Sequence, residues 1–265
     1  MQNAALPAGV YVHLDLQQFK VMPESLTLIA CAIFVVALLY SSVGHAGASG
    51  YIAVLSLAGL APAVIKPTAL VLNILVASIA AWQFRRAGHF SWPLFWPFAV
   101  GAIPMAMVGG ATAVPPGVFR ALIGAVLLFS AVRMAMARQV EHVPEAPRRA
   151  VALPVGAVLG LLAGLTGTGG GIFLSPLLLC MRWALTKEAA AVSAFFILAN
   201  SVAGLLGNLA ATQRFPTLAL LLAGAAVLGG AVGSYLGSWR FDHRAIKRLL
   251  AIVLLTAGTK LILTR

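Results

Sequence analysis

Apolar residues fall in long blocks along the chain, over residues 26–44, 47–60, 64–84, 92–112, 117–136, 150–165, 169–183, 186–209, 215–235 and 244–263. At 1.5 Å of rise per helical residue, most are long enough to cross a hydrocarbon core about 30 Å thick. The second and seventh blocks are too short, and each follows directly on a Gly-rich interruption. The longest hydrophilic connection, "ARQVEHVPEAPRR" at 137–149, divides the blocks into two sets of five. The pattern predicts an all-α polytopic membrane protein. It comprises an N-terminal tail (1–23), a first transmembrane repeat (24–136), a basic cytoplasmic linker (137–149) and a second transmembrane repeat (150–265).

The two sets share punctuation at a fixed offset of 123 residues: Gly44 meets Gly167, Gly47 meets Gly170, Ser78 meets Ser201, Pro93 meets Pro216, Gly101 meets Gly224 and Gly110 meets Gly233. An internal duplication explains this alignment. Five crossings per set turn the second set upside down. Alternating the blocks across a membrane places twelve of the eighteen Lys and Arg on one side, including Arg85, Arg86, Arg148, Arg149 and Lys187. The side richer in Lys and Arg is cytoplasmic, so both termini are expected outside. A hairpin at each Gly break, entering and leaving on one face, gives the same partition. The sequence leaves open whether the flanking segments form such hairpins or full spans.

Composition agrees with a bilayer. The chain of 265 residues is 61% hydrophobic and 9% charged, too little charge to cover a soluble domain. The net charge of +12 would suggest nucleic acid in a soluble protein. Here the basic residues lie between apolar runs, as in cytoplasmic loops, and no nucleic-acid partner is expected. The first twenty residues lack the basic start and apolar core of a cleavable signal. Cys31 and Cys180 fall inside apolar blocks and are expected as two small buried hydrophobes.

Irregular backbone is tolerated at membrane depth only where protein or a hydrated cavity satisfies its polar groups. Inverted repeats with helices interrupted at corresponding positions mark secondary transporters, whose substrate sites lie between the repeats. "SSVGHAGASGYIA" and "GLTGTGGGIFL" are such a pair. Each leads into a helix whose first N–H groups and positive dipole end suit an anion. Gly44, Gly47, Gly167, Gly169, Gly170 and Gly171 are therefore assigned to substrate binding, with Ser49, Thr166 and Thr168 beside them. Gly160 with Gly164, and Gly233 with Gly237, read instead as close helix packing. "GTGGG" lacks the spacing, strand and downstream acid of a nucleotide fingerprint.

His45 lies within the first break. It either pairs with an anion or carries a proton, or is a neutral histidine bonded to a carbonyl. Asn73 and Asn200 are expensive to bury and are expected to line the polar site. Other polar residues at depth, Thr68, Ser193 and Ser201 among them, most simply bond their own helices. Lys66 is expected to snorkel outward rather than attract anions at an entrance. Trp82, Trp92, Trp96, Trp183 and Trp239 read as interface anchors. No carboxylate occupies the centre of a block, which disfavours a proton relay through acids and a divalent metal. No histidine pair or buried acid pair offers enzyme chemistry.

The stretches "GLTGTGGGIFLSPLL" and "VGHAGASGYIAVLSLAGLAPAVIKPTALVLNILVASIAAWQFRRAGHF" resemble the sulfite exporter TauE/SafE family of membrane transporters, over about residues 26–263. The resemblance implies export of sulfite, a sulfonate such as sulfoacetate, or a related anion, and no cofactor. It departs from the family's first-half "GxGGG" at Ala46 and Ala48. The expectation is a non-enzymatic secondary transporter in the bacterial inner membrane, working by alternating access on a small anionic substrate, with the lipid bilayer as its other partner. The inside-negative potential already favours anion exit. A homodimer is compatible with the sequence. A channel-like pore and a membrane scaffold without transport are the alternatives.

Overall fold

The computed structural model describes residues 23–115, 144–145, 147–213, 215–239 and 255 and parts of 117–132, with side chains from residue 26. The fifth block (117–136) is thus covered only in part. The tail over 1–22, most of the linker and, apart from residue 255, the tenth block (244–263) lie outside the described residues. Among the described residues the structure is all helical: α1 (Pro23–Ser41), α2 (Ala48–Leu57), α3 (Pro62–Arg86), α4 (Trp92–Ala111), α5 (Arg149–Thr166), α6 (Gly171–Cys180), α7 (Thr186–Thr212) and α8 (Thr217–Trp239). Helices α3, α4, α5, α7 and α8 are long and apolar enough to cross a membrane. At 10 residues each, α2 and α6 are about 15 Å long, half the hydrocarbon thickness.

Helix packing repeats between the halves. Helix α4 packs on α5 and α7, and α8 packs on α1 and α3; α2 lies on α3 as α6 lies on α7, and α3 meets α7 at the centre. Exchanging α1, α2, α3 and α4 for α5, α6, α7 and α8 converts each of these pairings into another of the set. The central pair is antiparallel: Asn73 meets Ser201, Ala80 and Ala81 meet Ala194, and Phe84 meets Ala190 and Ala191.

Glycine makes the outer pairings close. Gly156, Gly160 and Gly164 of α5 lie so near α4 that a Cβ would fall on the carbonyl oxygens of Phe98, Ala102 and Ala106. Gly229, Gly233 and Gly237 of α8 lie in the same way against the carbonyls of Phe34 and Leu38 on α1 and of Ser42 just past its end. The packing role expected for Gly160, Gly164, Gly233 and Gly237 is the one observed, because only a bare Cα allows backbones this close. In both pairs residue numbers rise together, so the helices run parallel.

Each short helix turns back on the one before it. Gly50 of α2 packs on Val36 and Tyr40 of α1, and Gly170 packs on Ala163 and the Leu159 carbonyl of α5. Helix α6 then descends along α7, with Gly171 beside Ile197 and Ser175 donating to Ser193 Oγ at 2.6 Å. The α5–break–α6 segment is therefore a hairpin laid against a full-length helix.

Two expectations are corrected. Cys31 and Cys180 are exposed, not buried. Cys31 shares an outer face of α1 with the exposed Leu28 and Val35, where an apolar side chain meets lipid rather than protein. Lys66 does not snorkel. It is 6% exposed, because α4 ends beside it and offers carbonyl acceptors closer than any polar surface. Among the anchors, Trp82, Trp92 and Trp239 are exposed, with the Arg86 guanidinium 5.3 Å from the Trp82 ring centroid.

Candidate functional site

The two breaks have matching backbones. Left-handed residues stand at Gly44 and Gly167 (φ 79° and 77°) and at Gly47 and Gly170 (φ 101° and 79°), again offset by 123. Left-handed φ disfavours any side chain with a Cβ, so glycine here ends one helix and starts the next within four to six residues. Gly47 and Gly170 are the N-caps of α2 and α6, and neither helix start has a side-chain cap. The N–H groups of Ala46, Gly47, Ala48 and Ser49, and of Gly169, Gly170, Gly171 and Ile172, make no hydrogen bond among the described residues. Two helix N-termini are thus buried with their donors unused. Buried backbone donors are nearly always paired, so these sites are chemically poised for an acceptor.

Side chains make the breaks unequal. Around the second, the Thr166 hydroxyl donates to Leu162 O at 2.6 Å, which leaves Thr168 Oγ1 to donate to Thr166 Oγ1 at 2.9 Å. Gly169 leaves no room beyond its own backbone: a Cβ would lie 2.8 Å from Ile197 Cγ2, 2.9 Å from Ser201 Oγ and 3.0 Å from Asn73 Nδ2. Asn73 Nδ2 donates to Ser201 Oγ at 3.3 Å, while Asn73 Oδ1 is buried without a partner. One residue before Ser201, both amide atoms of the fully buried Asn200 are also unpartnered. Thr68 Oγ1, five residues before Asn73 on α3, is a further buried oxygen without a partner.

The first break is closed by two tyrosines. Ser49 Oγ donates to the Tyr40 hydroxyl at 3.0 Å, and the Tyr51 hydroxyl donates to Ala46 O at 2.6 Å. The Tyr51 ring lies where a side chain on Gly47 would go, and Ala190 of α7 lies where one on Gly44 would go. His45 is half-buried, with Nδ1 3.2 Å from Val43 O.

The structure therefore gathers Asn73, Thr166, Gly167, Thr168, Gly169, Gly170 and Gly171 around the second break, with Asn200 on the adjoining turn of α7. Gly44, His45, Gly47 and Ser49 belong to the first, and no hydrogen bond among the described residues joins the two groups. Ile197, which packs on Gly169 and Gly171, shares an apolar cluster with Val43, Ala46 and Tyr51 and so links the breaks by packing. Tyr40 and Tyr51 were not singled out from the sequence. Their one signal is a phenol inside an apolar block beside the first break.

Lys66 joins the second break. Its ammonium donates to the carbonyl oxygens of Gly109 at 2.9 Å, Gly110 at 2.9 Å and Thr112 at 3.2 Å. A Cβ on Gly167 would lie 3.1 Å from Lys66 O and 3.3 Å from Lys66 Cγ. Among the described residues no other charged side chain is buried, and no group of His, Cys, Asp and Glu could hold a metal ion.

Spanning helices, half-length helices and buried, donor-rich breaks define a polytopic helical membrane protein. The chain matches the model of the sulfite exporter TauE/SafE family over residues 29–261, and it belongs to that family. It is 38% identical over 239 residues to "Probable membrane transporter protein y4hK" of Sinorhizobium fredii (strain NBRC 101917 / NGR234), covering 88% of this chain and 97% of that protein. It is 26% identical over 256 residues to "Probable membrane transporter protein YjnA" of Bacillus subtilis (strain 168), covering 90% of this chain and 100% of that protein. No solved structure matches the chain.

Proposed function

We propose that this membrane transporter exports a small sulfur-containing oxyanion, such as sulfite or sulfoacetate, across the bacterial inner membrane by alternating access between two inverted repeats. One observation carries the reading: two buried helix N-termini with unused N–H donors, the second with the unpartnered amide of Asn200 on the adjoining turn of α7. N–H groups at a helix start suit an oxyanion. The amide donor of Asn200 can replace further water, and the absence of a buried carboxylate among the described residues leaves nothing to repel the charge. The family's description as sulfite exporters supports the substrate class.

The exchange-related helix pairings and the antiparallel central pair support the inverted duplication. Burial of both breaks fits a conformation closed to either side, and the central pairing of α3 with α7 is where the halves would rock. Sulfite presents three acceptor oxygens, and a sulfonate presents the same face. Efflux of preloaded sulfite from proteoliposomes tests the assignment. The wild type should release it and Gly170→Leu should not, because that side chain would enter the Phe196 ring. Absence of wild-type flux, or full flux with the variant, would dismiss the proposal.

A further inference from the structure

The geometry points to Lys66 as the fixed charge that sets the substrate preference of the second break, a positioning residue acting through its field rather than by contact. The inference rests on the transport reading above. All three ammonium protons are taken up by the carbonyls of Gly109, Gly110 and Thr112, which anchors the charge and leaves no proton for a substrate. Those carbonyls close the C-terminus of α4, whose dipole end carries about half a negative charge. The group as a whole therefore stays positive. No carboxylate accompanies it among the described residues, so a neighbouring anion is what completes its compensation in a low-dielectric setting.

Placement directs that charge at the break. Lys66 and Asn73 are seven residues apart on α3, two turns on one face. Lys66 packs on Gly167 and Asn73 on Gly169, so they flank the turn that leads into the unused N–H donors of Gly169, Gly170, Gly171 and Ile172. The corresponding position of the other half is Ala189, so the charge belongs to one break only. The first, closed by Tyr40 and Tyr51, has none among its described neighbours.

Charge grading of the substrate tests this. A unit charge roughly 10 Å away at an effective dielectric of about 20 changes affinity on the order of tenfold for a monoanion and hundredfold for a dianion. Binding of methanesulfonate (monoanion) and of ethanedisulfonate and sulfoacetate (dianions) is measured by calorimetry at neutral pH and one ionic strength. Lys66→Gln retains an amide donor for the α4 carbonyls but loses the charge. It should lose affinity on the order of tenfold for methanesulfonate and hundredfold for the dianions, and Lys66→Arg should stay within about threefold of wild type. If Lys66→Gln does not yield folded protein, Asn73→Asp, on the same face of α3 and against Gly169, leaves Lys66 and its carbonyls in place, opposes the field and should give the same graded loss. Equal losses for monoanion and dianions would mark a merely structural role and overturn the inference, as would undiminished binding. A wild type that binds none of the three instead removes the transport reading itself.

Discussion

Gly169 and Gly59 differ in surroundings but not in backbone, and the pair isolates what the second break is packed against. Both are left-handed, with φ 72° and 78°. A Cβ at Gly59 meets nothing within 4 Å, whereas one at Gly169 would stand 2.8 Å from Ile197, 2.9 Å from Ser201 and 3.0 Å from Asn73. Gly59→Ala therefore carries only the left-handed penalty, about 1–2 kcal/mol. Gly169→Ala adds overpacking of about 1–3 kcal/mol, and Asn73 and Ser201 must separate to admit the methyl. The sum is about 2–5 kcal/mol, with a specific loss of the Asn73–Ser201 contact. Unfolding of both variants in detergent, with and without sulfite, measures stability and binding together. Gly59→Ala should keep the sulfite-induced stabilisation, and Gly169→Ala should lose it. Equal destabilisation of the two would show that the break is not tightly enclosed, and retained sulfite response in Gly169→Ala would separate it from binding.

Asn200→Leu should raise the unfolding free energy by about 1–3 kcal/mol, since it removes two buried, unpartnered polar atoms, while abolishing sulfite-dependent stabilisation. Denaturation in detergent with and without sulfite reads both effects. Gly160→Leu should destabilise by at least about 3 kcal/mol because α4 lies against it, whereas Gly224→Leu, with nothing within 4 Å, should remain monodisperse on size-exclusion chromatography. His89, in the connection between α3 and α4, is held below its ordinary pKa of 6.5 first by partial burial and then by the charge of Lys187. Folding thus favours its neutral form, and the resulting stability is present above pH 6.5 and lost as pH falls through the lowered value. His89→Gln should flatten that acid-side decline in thermal unfolding, and an unchanged profile would assign the decline to another group.

Length and hydropathy were enough to place the described helices. A block such as 186–209 crosses a bilayer whatever it packs on, and α7 at Thr186–Thr212 extends it by less than a turn. The breaks were legible for the same reason, since clustered glycines disfavour helix in any environment. The uses of particular side chains were not. Lys66 caps carbonyls 43 to 46 residues away, and no local pattern announces where another helix will end. Cys31 and Cys180 were misplaced because an apolar block does not say which of its faces meets lipid. Asn73 could be suspected from its burial cost, but its meeting with Ser201, 128 residues later, depends on how α3 crosses α7. The sequence by itself thus determined which segments leave water and where their helices fail, because those are local free energies of transfer and of backbone conformation. Tertiary structure alone decided which failed helix end acquires a charge, an unpartnered amide or a tyrosine seal, because only packing brings residues from distant helices within a few ångströms.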